Sequence, residues 1–213
     1  MSRLLLIRHG ATAWNEAGRI QGRSNTPLSP AGRAAVAAWV PPPQAAGARW
    51  LCSPLARARD TAALLHGGAV VEEPRLIETD WGEWEGRTLA ELRAELGPAM
   101  AENEARGLDF RPPGGESPRD VQHRLQPLLA ALAEEPDAVV AVTHKGVIRA
   151  VYALASGWDM RGKPPVKLLN ACAHAFTLAP GGQPRVESLN LPLAEGAGRT
   201  GGRAGGRASE RMP

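Results

Sequence analysis

Short apolar runs alternate along this chain with segments of helical spacing. The first run, Arg3–Ile7, holds four consecutive apolar residues and stops on Arg8, His9 and Gly10. A continuous apolar run of that length suits a strand buried on both faces. Ser29 then stands as an N-cap with Pro30 at the first helical position, and alanines carry a helix to Val40. The proline cluster at 41–43 breaks it. Residues 48–53 read as a second strand, with Ser53 capping a helix from Pro54 to about Leu65. Residues 68–74 read as a third strand, and Leu89–Leu96 is spaced as a helix. Ser117, Pro118 and Asp120 repeat the helix-start grammar ahead of a long amphipathic run. A fourth strand covers 138–144, followed by a helix from about Val147, and 171–180 and 184–191 read as closing strands. Strands alternating with helices predict an α/β protein, a mostly parallel central sheet in a three-layer α/β/α sandwich. There is no internal repeat.

Composition narrows this picture. With 213 residues the chain suits one sizeable domain, and 43% hydrophobic with 22% charged residues is ordinary for a globular protein. No apolar run is long enough to span a bilayer, so no membrane partner is expected. The first residues lack the pattern of a secretory signal, and two cysteines, Cys52 and Cys172, make no disulfide framework. A reducing, cytoplasmic location is the expectation. The net charge is +3, but the stretch after Leu193 holds Arg199, Arg203, Arg207 and Arg211 against two glutamates, which leaves the body near neutral. Residues 194–213 read as a disordered Gly/Arg-rich tail behind a folded 1–193, and no nucleic-acid partner is expected.

Two strand ends carry chemistry. The first ends on Arg8 and His9, the fourth on His144. In open parallel sheets ligands bind at the carboxyl ends of strands, so if these strands are neighbours the two histidines share a pocket. Arg57 follows a third strand end. Arginine forks match phosphate oxygens, and an imidazole can attack phosphorus to give a phospho-enzyme that water resolves. That imidazole must be neutral, and nearby arginines oppose its protonation. The leaving alkoxide needs a proton from a carboxyl group held protonated by the phosphate's own charge. Glu78, Asp80, Glu83 and Glu85 are all available, and spacing alone does not choose.

These residues carry a resemblance. The blocks "LLLIRHGATAWN…GRIQGRSNTPLSPAGR", "SPLARARDTA", "LIETDWGEWEG", "GGES" and "VTHKGVIR" together resemble the histidine phosphatase superfamily, the phosphoglycerate mutase-like fold, in order from Arg3 to about Leu193. The resemblance implies that His9 is the phosphorylated nucleophile and that Arg8, Arg57 and His144 complete the phosphate pocket. It further implies that Asn15 adds an amide donor, that Gln21 borders the substrate and that Glu78 is the proton donor. It implies no metal and no organic cofactor. Two positions depart from the pattern: Ala11, where many relatives carry a polar residue, and Lys145, where a glycine commonly follows the second histidine.

Other candidates have plainer readings. Cys52 lacks an arginine six positions on, as a thiol phosphatase would require, and reads as a small buried residue. His66 falls at a helix end, His123 on a polar helix face and His174 in a strand, without metal-ligand spacing. Trp14, Trp81 and Trp84 read as packing residues, Arg59 as solvent-facing, and Glu116 as a carboxylate beside a helix start.

The function expected is a phosphomonoesterase acting on a small phosphorylated metabolite through phosphohistidine. A mutase is the alternative, and a non-catalytic phospholigand-binding module a second one. Mutases of the family carry a longer segment between acid and second histidine; here Glu78 and His144 are 66 residues apart, which favours hydrolysis. Variable loops read the alcohol, here 20–26, 97–113 and 157–166. Oligomeric state is left open.

Overall fold

The structure, a computed structural model, describes residues 2–195. In chain order its elements are β1 (Ser2–Arg8), α1 (Ala13–Glu16), α2 (Pro30–Ala38), β2 (Trp39–Val40), β3 (Arg49–Cys52), α3 (Ala56–His66) and β4 (Val71–Glu72). They continue as α4 (Leu89–Leu96), α5 (Pro98–Glu104), α6 (Pro118–Ala133), β5 (Val139–Thr143), α7 (Lys145–Ser156), β6 (Cys172–Leu178), β7 (Pro184–Pro192) and β8 (Ala194–Glu195). Six strands form one sheet in the order β4-β3-β5-β1-β6-β7. The first four in that order are mutually parallel, β6 runs antiparallel to β1, and β7 antiparallel to β6.

Alternation along the central strands divides the core into two layers. Leu4, Leu6, Val139 and Ala141 pack with Val121, Leu125 and Leu129 of α6 and Val147 and Val151 of α7. Leu5, Ile7, Val140 and Val142 face the other way, against Val36 of α2 and Ala58 and Ala62 of α3. Each fully buried leucine or valine contributes about 1.5–3 kcal/mol. Both sheet faces are therefore covered, the three-layer arrangement expected of continuous apolar strands. A third, smaller cluster, built on Trp84, Leu92 and Met100, lies under α4 and α5.

Several expected boundaries moved; the third strand, expected over 68–74, is only Val71–Glu72. Helix α2 stops at Ala38 because Trp39 is extended and Trp39–Val40 pair with Ala194–Glu195. That pairing carries ordered chain two residues past the expected boundary at 193; the remainder of the Gly/Arg tail lies outside the described residues. Ser53 is not the N-cap of α3: the helix starts at Ala56, Leu55 holds the cap position without a side-chain bond, and the Ser53 hydroxyl is engaged with His144. Helix α7 begins at Lys145, two residues before the expected Val147. The short helices α1 and α5 had no strong apolar period to announce them. The caps at Ser29 and Ser117 form as read, the latter as a reciprocal capping box with Asp120. Among the described residues no helix is long and apolar enough to cross a membrane.

Candidate active site

β1 and β5 are adjacent and in register from Leu4 opposite Val139 to Arg8 opposite Thr143. The His9 N–H continues the ladder to the Thr143 carbonyl at 3.0 Å. The two strands thus end together, and the His9 and His144 rings meet with centroids 5.1 Å apart. β3 pairs with β5 on its other side, so α3, which follows it, brings Arg57 to the same edge.

Each group is held by identifiable partners. The His9 Nδ1 lies 2.7 Å from the Gly10 carbonyl, which only accepts, so Nδ1 carries the proton and Nε2 keeps its lone pair. Burial above all, then the Arg8 and Arg57 charges, holds this imidazole well below the usual histidine range. His144 is fully buried; its Nε2 is 2.7 Å from the Ser53 hydroxyl, and burial, then His9, Arg57 and Arg8, push its pKa down as well. Arg57 has no exposed surface, and burial lowers its pKa to about 10, which leaves it charged at neutral pH. Its Nη1 and Nη2 donate to the Ser24 and Gly22 carbonyls at 2.8 and 2.7 Å. Arg8 donates from Nη1 to Asn170 Oδ1 at 2.6 Å.

Those bonds leave atoms over. Four buried side-chain polar atoms lack a partner among the described residues, and three of them are Arg8 Nε, Arg57 Nε and His144 Nδ1. Unpaired buried polar atoms are costly, and three of them on residues grouped about His9 suit an anionic ligand.

The four candidate carboxylates separate cleanly. Glu85 accepts from the Arg23 and Ser24 amides at 2.6 and 2.9 Å and braces that loop. Asp80 accepts from the Gly82 amide and pairs with Arg23 at 3.2 Å. Glu83 is exposed. Only Glu78 lines the cleft that holds His9. Its oxygens accept from the Thr79 amide at 2.8 Å and the Gly146 amide at 3.3 Å. Position 146 is close against the acid: a Cβ there would meet both Glu78 Oε1 and Thr79 Oγ1, so any larger residue displaces one of those side chains.

Asn15 Oδ1 accepts from the Thr12 amide at 3.1 Å, and Gln21 Oε1 accepts from the Thr12 hydroxyl at 2.9 Å. Both side chains line the cleft with their amide NH2 ends uncommitted by these bonds. The structure brings together all seven expected residues: Arg8, His9, Asn15, Gln21, Arg57 and Glu78 line the cleft, and His144 packs against His9. The cleft measures about 940 Å³ and draws on each of the three variable segments, through Ile20, Ala101, Phe110 and Met160 among others.

Sequence reasoning missed several supporting residues. Ser53 looked like a cap and holds His144 instead. Thr61 donates to the Arg57 carbonyl at 2.7 Å and accepts from the Gly10 amide at 3.0 Å, tying α3 to the end of β1. Arg124 of α6 donates to the carbonyls of Arg75 and Ile77, the latter at 2.7 Å, and fixes the segment that leads to Glu78. Glu116 pairs with Arg23 and Arg124 at 2.9 and 3.1 Å, and Trp84 packs in the third cluster, while Trp81 lines the cleft. Cys52 is buried, its thiol pushed up to about 11 by burial and Glu72, which suits an inert residue. Among the described residues no group of three or more His, Cys, Asp or Glu side chains is placed to hold a metal.

The family model for the histidine phosphatase superfamily (branch 1) matches residues 4–192. A glucosyl-3-phosphoglycerate phosphatase of Mycobacterium tuberculosis is 41% identical over 170 residues, 71% of this chain and 74% of that protein. A 2,3-bisphosphoglycerate-dependent phosphoglycerate mutase of Gloeobacter violaceus is 32% identical over 169 residues, again 71% and 74%. The solved structure of a mycobacterial glucosyl-3-phosphoglycerate phosphatase complexed with VO3 superposes with a TM-score of 0.75 at 32% identity, covering 90% of this chain and all of that one. The chain belongs to the histidine phosphatase superfamily. Within it, the chain is a phosphoric monoester hydrolase, as its phosphatase relatives are.

Proposed function

We propose that the chain hydrolyses small phosphate monoesters in two displacements through a phosphohistidine at His9. The observation that carries this reading is the neutral His9 ring with a free Nε2, set beside three unpaired buried atoms of Arg8, Arg57 and His144. The phosphoryl oxygens satisfy those atoms, with the Asn15 amide as a further donor. The Ser53 hydroxyl donates to His144 Nε2, so His144 presents Nδ1–H to the phosphoryl group. His9 Nε2 attacks phosphorus, the ester P–O bond breaks, and Glu78 passes its proton to the departing oxygen. Water then attacks phosphorus as the P–N bond breaks, the Glu78 carboxylate takes the water's proton, inorganic phosphate leaves, and His9 Nε2 regains its lone pair. The arginines spread the charge that gathers on the equatorial oxygens. Gln21 borders the alcohol.

Rapid acid-free quench with labelled substrate tests the reading. Label is expected on His9, acid-labile and base-stable, and absent from His9→Ala. Label on Cys52 or Ser53 would overturn it.

A mutase reading has one observation in its favour, the Gloeobacter relative. The 66-residue spacing from Glu78 to His144 speaks against it, since a mutase must close the site against water. With 3-phosphoglycerate and a trace of 2,3-bisphosphoglycerate, release of inorganic phosphate is expected; fast 2-/3-phosphoglycerate interconversion with little release would reverse the order.

A further inference from the structure

The first turn of α7 carries a lysine where a helix dipole favours an anion, and Arg149 sits one turn later on the same face. Like charges four apart on a helix oppose each other, so both placements act against the helix. Both side chains line the cleft. Neither makes a hydrogen bond or ion pair among the described residues; Arg149 is oriented by the Trp158 ring, 4.9 Å from its guanidinium carbon. Lys145 is exposed toward the cleft. Lys145 precedes Gly146, whose amide holds Glu78, and lines the same cleft as that acid. The pair is separate from Arg8 and Arg57, whose side chains are committed to Asn170 and to the 22–24 loop.

We propose that Lys145 and Arg149 form a second anion subsite, which selects phosphate monoesters whose alcohol carries its own carboxylate or phosphoryl group. The proposal rests on the phosphomonoesterase reading of the same cleft. A helix rises 1.5 Å per residue, so the two residues start about 6 Å apart along α7 and both reach into the same cleft. Desolvation, then Arg8 and Arg149, lowers the Lys145 pKa, and a bound anion relieves that crowding.

Three phosphonates of matched length test this as competitive inhibitors of p-nitrophenyl phosphate hydrolysis, with affinities checked by calorimetry. Propylphosphonate has no second charge, 3-phosphonopropionate adds a carboxylate, and propane-1,3-bisphosphonate adds a second phosphoryl-like group. At low salt at least one charged probe is expected to bind about tenfold tighter than propylphosphonate, the size of a charge-assisted contact. Lys145→Met should cut that ratio about fivefold, and Lys145→Arg should keep it. The arm with the larger ratio names the anion. Equal affinity of all three for the unaltered protein would overturn the subsite, as would a ratio unmoved by both Lys145→Met and Arg149→Met. Calorimetry separates the two readings: loss of all p-nitrophenyl phosphate turnover with the affinity ratio intact would count against the hydrolase reading and not against the subsite.

Discussion

At the scale of single residues, the site is organised by what each polar group has already spent its bonds on. His9 gives its one N–H to Gly10, which decides the nucleophilic nitrogen. His9→Ala should therefore lower kcat by several orders of magnitude with an unchanged circular dichroism spectrum, since no core side chain is lost. Glu78 works only when the leaving group needs help. Glu78→Gln should slow alkyl phosphates by roughly 10²–10⁴-fold in single-turnover assays. The first step with p-nitrophenyl phosphate should lose far less, because nitrophenolate departs unaided. If the same selectivity followed a change at Glu83 instead, the acid would have to be reassigned. Arg8, His9 and His144 were legible in the sequence because they lie at strand ends, and Arg57 because it follows one; Asn15, Gln21 and Glu78 were reached only through the family resemblance. Ser53 was misread because a serine before a proline and an alanine-rich helix has the grammar of a cap; only the position of His144, 91 residues away, gives the hydroxyl its partner.

At the scale of elements, α7 ties the second histidine to the acid. Its N-terminal residues place His144, Lys145 and Gly146 in sequence, and the Gly146 amide reaches Glu78. Gly146→Ala is expected to fold, alanine being the better helix former, yet its methyl occupies the space of the Glu78 carboxylate. Activity on alkyl phosphates should fall at least tenfold while stability changes little, read as kcat against Tm; unchanged kcat would show that Glu78 moves without consequence. The element boundaries that sequence missed are those set by distant pairing. Trp39–Val40 continue an alanine-rich helix on propensity, and become extended because Ala194–Glu195 lie beside them. Local pattern carries no information about a partner more than 150 residues away.

At the scale of the molecule, folding keeps three histidines from protonating. His9 and His144 are held well below the usual range and His174 at about 4, in each case chiefly by burial. The unfolded chain takes up these protons near pH 6.5 and the native one does not, so stability is present above that pH and is lost as pH falls toward the native values. Each histidine contributes a slope of about 1.4 kcal/mol per pH unit in that window. The Tm should fall steeply between pH 6.5 and 4.5, and saturating inorganic phosphate should raise it at neutral pH by occupying the native state alone. A Tm flat across that range would mean the imidazoles are protonated in the folded protein. Truncation after Glu195 keeps every element described above and should leave kcat for a small phosphoester within about threefold.

The third hydrophobic cluster has an evolutionary meaning. Trp84, Leu92 and Met100, with Ile20, Trp81, Leu96 and Phe110 against them, are packed among themselves and belong to neither layer of the main core. Residues that face the alcohol can drift within that cluster without disturbing the strands that deliver His9, Arg57 and His144. New shape preferences are thus available to the lineage by change within one peripheral module, and an engineered chimera that swaps residues 89–113 should take on its donor's preference for the bulk of the alcohol while the recipient's chemistry, and the charge selection assigned to Lys145 and Arg149, stay in place.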